Sequence, residues 1–234
     1  MKINILTIFP EIFKGWMETG MIAKAIENKQ VEINVIDIRE YTTNKHRKVD
    51  DYPFGGFDGM LMQIQPLDDA MLANQLENTH TIFPSPKGRA FNQEVATELS
   101  KYQELTFVAG RYEGVDQRFI DTHVDEMISM GDYILTGGEL PICSILDAVI
   151  RLLPGVLNND TSAVYESFYN NLLEFPQYTR PREYKGMEVP EVLLNGNHKE
   201  IEKWCYEQQI SETKKYRPDL YQKYLENCDK NDEN

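Results

Sequence analysis

The chain has 234 residues, 41% of them hydrophobic and 26% charged, with 14 Gly and 11 Pro. That length supports one or two domains with an ordinary buried core, and that composition excludes a wholly disordered, collagen-like or coiled-coil protein. With 24 Lys+Arg against 38 Asp+Glu the net charge is −14, which argues against coating nucleic acid by bulk electrostatics, and no apolar run approaches the ~20 residues of a membrane span.

From the N-terminus, a lysine precedes alternating apolar residues with no small-residue cleavage site, so a first strand over 3–9 is predicted in place of a signal peptide. Further short β-branched runs predict strands over 31–38, 80–83, 105–109 and 127–129. Between them, apolar residues at helical spacing predict helices over 22–28, 67–75, 92–102 and 118–124, and a longer one over 140–153 ends at Pro154-Gly155. Alternation of this kind predicts an α/β domain with a mainly parallel sheet covered on both faces. The turn-rich stretch 158–163 marks a boundary near 160. Beyond it, X-Pro pairs at 180–181, 189–190 and 217–218 and a helical stretch over 198–206 predict a small helical domain, with a polar tail over 226–234 that frays. The expected division is 1–159, a linker 160–172, and 173–234.

Charge is uneven along this plan. Residues 161–234 hold 10 basic and 14 acidic side chains, net −4, and residues 1–160 hold 14 and 24, net −10. RNA contacts would therefore come from local clusters: Lys45/Arg47/Lys48, Arg180/Arg182/Lys185 and Lys214/Lys215/Arg217. Taken singly, each reads first as a solvated face. The three cysteines, Cys143, Cys205 and Cys228, are odd in number and widely spaced, so neither a disulfide framework nor a zinc site is read and a reducing cytoplasm is the simplest compartment.

Open α/β sheets bind ligands beyond the carboxyl ends of their strands, and three expected post-strand loops are unusual. They are Pro84-Ser85-Pro86-Lys87-Gly88-Arg89, the stretch 110–116 (GRYEGVD) and the stretch 130–141 (MGDYILTGGELP). None matches the dinucleotide or P-loop glycine patterns. Alone, each reads as a turn; at consecutive strand ends they form a backbone-lined pocket for a planar, uncharged group such as adenine. Ahead of them, residues 45–60 combine basic residues, carboxylates, aromatics and three glycines in a loop of a length that is usually functional. His46 has no second His or Cys at ligand spacing, so no metal site is assigned.

Six ordered stretches carry a resemblance: HRKVDDYPFGG–GM at 46–60, GRYEGVDQR at 110–118, SMGDYILTGGELP at 129–141, RLLPGVL at 151–157, FPQYTRP at 175–181 and GMEVPEVLLNGNH at 186–198. Over residues 1 to about 224 the chain resembles the bacterial tRNA (guanine-37-N1)-methyltransferases, the TrmD family of the SPOUT superfamily. The resemblance implies a trefoil knot, where strand patterning alone predicts an unknotted sheet. It implies an S-adenosylmethionine site lined by Ser85, Pro86, Gly110, Tyr112, Glu113, Ser129, Met130, Gly131, Asp132, Tyr133, Ile134, Leu135, Gly137, Gly138 and Pro141. It further implies a homodimer whose active sites use both chains, the C-terminal domain and linker gripping the anticodon arm through Arg180, Lys214 and Lys215. DNA and membranes are not implied partners. Magnesium is carried as an optional helper of base activation.

Guanine N1 bears a proton at neutral pH, so methylation there needs a base and a donor for the charge gathering on O6. By resemblance, Glu166 of one subunit is the base, Arg151 serves O6, Glu113 lies near the guanine, and His46 with Asp50 reads the preceding G36. Read locally, Arg151 is equally an arginine interacting with a helix C-terminal dipole. Two positions depart from the family pattern. Glu166-Ser167-Phe168 stands where Asp-Ser-Phe is usual, adding roughly 1.5 Å of reach, with Asp160 a second carboxylate in the linker. Phe57 stands where a third consecutive glycine is usual, and a positive φ there would disfavour it.

Overall fold

The computed structural model describes residues 1–157 and 166–232. The chain divides into two compact units, Met1–Asn158 and Asn159–Asn234. In chain order the first contains β1 (Lys2–Thr7), α1 (Glu11–Met17), α2 (Gly20–Glu27), β2 (Glu32–Asp37), β3 (Asp50–Asp51), β4 (Leu61–Met62) and α3 (Ile64–Ala73). It continues with β5 (His80–Ala90), α4 (Gln93–Leu99), β6 (Glu104–Val108), α5 (Gln117–His123), β7 (Glu126–Ser129) and α6 (Glu139–Ile150).

Five strands form one sheet in the order β2-β1-β6-β5-β7, and every neighbouring pair is parallel. The period of two along each strand sends side chains to two separate cores. Ile3 and Ile5 of β1 and Leu105 and Phe107 of β6 join residues of α1, α2, α4 and α6, among them Phe13, Ile22, Leu99 and Ile145. Leu6 and Val108 point the other way, to Leu67 and Met71 of α3 and Phe119 of α5. β1 is buried along both faces, with Ile3, Ile5 and Leu6 packed into the two cores and the polar Asn4 and Thr7 buried beside them. Each of the fully buried apolar side chains contributes roughly 1.5–3 kcal/mol.

The predicted strands and helices are therefore found, with shifted ends. Three differences have physical causes. Residues 84–89, expected as a loop, are an arched interruption inside β5: Pro84 and Arg89 both pair with Ile128 of β7. A Cβ on Gly88 would lie 2.3 Å from the carbonyl carbon of Met127, so only glycine lets the returning chain lie on β7. The loop 45–60 is clipped by the two-residue ribbon β3–β4, with Asp50 opposite Met62, too short for any periodic signal. Helix α1 has only one buried residue, Phe13, and no amphipathic stripe to betray it.

The second unit is largely helical. A hairpin of β8 (Glu183–Tyr184) and β9 (Met187–Glu188) precedes α7 (His198–Tyr216) and α8 (Pro218–Asp232). Helix α7 runs ten residues beyond the predicted stretch. Residues 218–232 are helical where a fraying tail was expected over 226–234, because Pro218 is well suited to a first helical position and Tyr224 holds Tyr206 of α7 through their hydroxyls at 2.5 Å. Its small core gathers Leu172, Cys205, Leu220 and Thr213, whose hydroxyl accepts from the N–H of Leu173 at 2.8 Å.

Candidate active site

Strands β6, β5 and β7 are neighbours, so the loops at their carboxyl ends converge. They enclose a cleft of about 440 Å³, within the range of small-molecule sites. Of the residues expected to hold a methyl donor, Ser85, Pro86, Gly110, Tyr112, Glu113, Ser129, Met130, Gly131, Tyr133, Ile134, Leu135, Gly137, Gly138 and Pro141 line it, and Asp132 does not. Apolar side chains of Phe83, Ile120 and Ile128 complete the wall.

The loops hold one another chiefly through backbone. The N–H of Gly138 donates to the carbonyl of Gly110 at 2.9 Å. A Cβ on Gly138 would stand 2.9 Å from the Gly110 nitrogen, so the two loops touch without any side chain between them. Below this contact lies a pair that the sequence reading did not single out. Glu139 is 1% exposed; its carboxylate accepts from Arg111 Nε at 2.9 Å and from the Thr7 hydroxyl at 3.0 Å. Arg111 also donates to the carbonyl of Thr136 at 3.1 Å and stacks over the Phe9 ring. The signal was present as opposite charges in two loops already expected to meet, 110–118 and 129–141.

The segment 46–60 is joined to this cleft at its exit. The N–H of Glu113 donates to the carbonyl of Met60, and the N–H of Met62 to that of Gly114, each at 2.9 Å. Gly59 lies against the Glu113 side chain, where a Cβ would come within 2.4 Å of Cγ. The ribbon bearing Asp50 is thus stapled beside Glu113, whereas His46 is exposed, its backbone N–H on Asn44. Neither lines the cleft. Phe57 is not among the positive-φ residues; Gly55, Gly56 and Gly59 take that conformation, so the departure at 57 leaves the loop unstrained.

Arg151 caps the C-terminal end of α6. Gly138 precedes the same helix, so its 12 residues place about 18 Å of rise between Arg151 and that wall. Glu166, Arg180, Lys214 and Lys215 belong to the second unit, and Asp160 lies outside the described residues. In that unit the ammonium of Lys214 sits 4.7 Å over the Tyr221 ring and that of Lys215 4.5 Å over Tyr216.

Two titrations bear on chemistry. Burial first, then the Glu139 and Asp147 carboxylates, pushes the Cys143 thiol up to about 11, so it stays protonated and is no nucleophile at neutral pH. The Arg118 side-chain bond holds Asp116 below the usual carboxylate range, where it caps α5. Among the described residues no group of three or more His, Cys, Asp or Glu is placed to hold a metal ion, so magnesium has no such side-chain cage there.

Residues 1–223 match the family profile described as tRNA (Guanine-1)-methyltransferase TrmD. The chain belongs to this family. It is 53% identical over 225 residues to the tRNA (guanine-N(1)-)-methyltransferase of Mycoplasmopsis pulmonis, covering 96% of this chain and 98% of that one. The enzyme of the same name from Mycoplasmopsis agalactiae is 52% identical over 224 residues, covering 95% and 98%. That of Staphylococcus epidermidis is 50% identical over 225 residues, covering 96% and 92%. The TrmD match therefore spans the sheet, the cleft loops and most of the helical unit.

Proposed function

We propose that the protein transfers a methyl group from S-adenosylmethionine to N1 of guanosine 37 in tRNAs with G at position 36. The observation that carries this reading is the backbone-walled cleft at three adjacent strand ends, in a chain that matches the TrmD family over residues 1–223. The cleft suits the donor: its volume is about 440 Å³, its walls offer apolar surface and backbone to an adenine, and Glu113 offers a carboxylate to the cationic end. When bound, S-adenosylmethionine supplies an electrophilic methyl on a sulfonium that departs as a thioether. Glu166 takes the N1 proton of guanine, and the Arg151 guanidinium donates to O6 as negative charge gathers there. Glu113 orients the base, and Asp50 with His46 reads G36 by hydrogen bonds to base edges. Such contacts account for RNA recognition by a chain of net charge −14.

The assignment requires two copies. At the rim, Ile134 is 83% exposed and Leu140 61%, an apolar surface of the kind that marks interaction sites. We therefore assign a homodimer in which Glu166 of the partner subunit completes the site. By the family resemblance, the trefoil knot of SPOUT enzymes is formed by the loops containing Ser85 and Pro86, 110–114 and 129–141. Arg180, Lys214 and Lys215 hold the anticodon arm, the segment 160–172 serves as the linker, and the compartment is the cytoplasm; DNA and membranes play no part. No described helix is long and apolar enough to cross a membrane.

Purified protein given methyl-labelled S-adenosylmethionine and a G36-G37 transcript should yield labelled 1-methylguanosine, and an A37 transcript none. Absence of label in the first would reject the reading. Label in both would indicate another RNA target. Replacing Glu166 by Asp should change the rate by less than about tenfold; a much larger gain would mean that the wild-type chain binds tRNA without being a competent enzyme.

A further inference from the structure

Among the described residues lining the cleft, the formally charged side chains are Lys87, Arg111 and Glu113. Arg111 is committed to Glu139 and to the carbonyl of Thr136. Lys87 gives its backbone N–H to the Ser85 hydroxyl at 3.2 Å, but its ammonium forms no ion pair with a described residue. The next cation along, Arg89, is bonded to Glu98 and Glu126. Nor is Lys87 on a loose loop. The arch that carries it is pinned on both sides to Ile128, through Pro84 and through Arg89, and Gly88 lies directly on β7.

We infer that Lys87 binds the carboxylate at the amino-acid end of the methyl donor and so selects for ligands that carry it. This rests on the cleft being the donor site. The donor has two cationic centres, sulfonium and ammonium, and one anionic centre. The cleft offers one uncommitted carboxylate, Glu113, and one uncommitted ammonium, Lys87, and opposite charges must face each other for either to gain. A tRNA phosphate is the other anion a rim lysine can take. The carboxylate is favoured because Lys87 belongs to the cleft lining itself, whereas Lys45, Arg47 and Lys48 of the RNA-reading segment lie outside it.

The test crosses one residue with one ligand group. S-adenosylhomocysteine keeps the amino-acid end, and 5′-methylthioadenosine lacks it but keeps the adenosine and thioether. Their dissociation constants are measured on the wild-type protein, Lys87→Met and Lys87→Arg. The Met variant should bind S-adenosylhomocysteine about three- to fivefold more weakly, the scale of a partly exposed ion pair, and 5′-methylthioadenosine within twofold of wild type. The Arg variant should keep the wild-type ratio. Equal weakening of both ligands, or of neither, overturns the inference. So does a raised KM for tRNA with an unchanged ligand ratio, which would give Lys87 to a phosphate. If neither compound binds the wild-type protein, the donor reading itself fails, an outcome distinct from an altered ratio.

Discussion

In the cleft, Arg111 and Glu139 are bonded to each other beneath loops that touch through backbone, and Gly137 and Gly138 there leave no room for a Cβ. In the helical unit, Lys214 and Lys215 are exposed and lie over tyrosine rings at a helix end. The first arrangement defines a shape, the second a charged surface. A small ligand of one structure is served by a rigid, desolvated wall, whereas a long polyanion is served by separate cations that each add a modest, salt-dependent share. Substitutions in the two regions should therefore fail in different ways.

The largest effect is expected at Glu139. Glu139→Ala strands Arg111, whose side chain is 19% exposed, and leaves the Thr7 hydroxyl without its acceptor. Urea unfolding should show a loss of about 3–5 kcal/mol. A loss under 1 kcal/mol would mean that the pair is not what holds the 110–116 and 130–141 loops together. Next comes Gly88→Ala, with a Cβ forced to within 2.3 Å of the Met127 backbone. The expected cost is about 1–3 kcal/mol, accompanied by weakened binding of S-adenosylhomocysteine, because the arch must lift from β7. Unchanged binding would separate the arch from the cleft.

The helical unit should respond through RNA alone. With Lys214→Gln and Lys215→Gln combined, tRNA affinity should fall and the slope of log K against log salt should shrink by about 1.5–2. Binding of S-adenosylhomocysteine and the unfolding midpoint should hold. A changed affinity with an unchanged slope would assign these lysines to packing. The smallest effect concerns acid. Arg217 holds Asp219 down at about 2. A depressed folded-state value means that its stabilisation is present above the ordinary carboxylate range near 4 and is lost as pH falls from there toward 2. In a Trp16→Phe background, Trp204 fluorescence should report this loss in the helical unit, and Asp219→Asn should flatten the dependence. An identical curve in the two proteins would remove Asp219 from the account.

Legibility in the sequence followed the same divide. The strands β1, β2, β6 and β7 were readable because each carries a short cluster of β-branched or other apolar residues. The cleft loops stood out because glycine, proline and polar residues cluster where strands end. Helix α8 was not readable, since its mostly polar residues are ordered by a few contacts to α7, such as Tyr224 with Tyr206, that no periodicity announces. The Arg111–Glu139 pair was missed for a related reason: each charge looks like a solvated side chain until the fold buries them together.

By itself, the sequence determined the α/β alternation, the helical second unit and the family, because these depend on patterns along the chain. Only the tertiary structure decided that Pro84 and Arg89 return to one residue of β7, that Gly59 comes to rest on Glu113, and that Arg111 is consumed while Lys87 is left over. Those are facts of approach between segments distant in sequence. Approach is governed by the space left when backbone and side chains pack, which no single segment specifies.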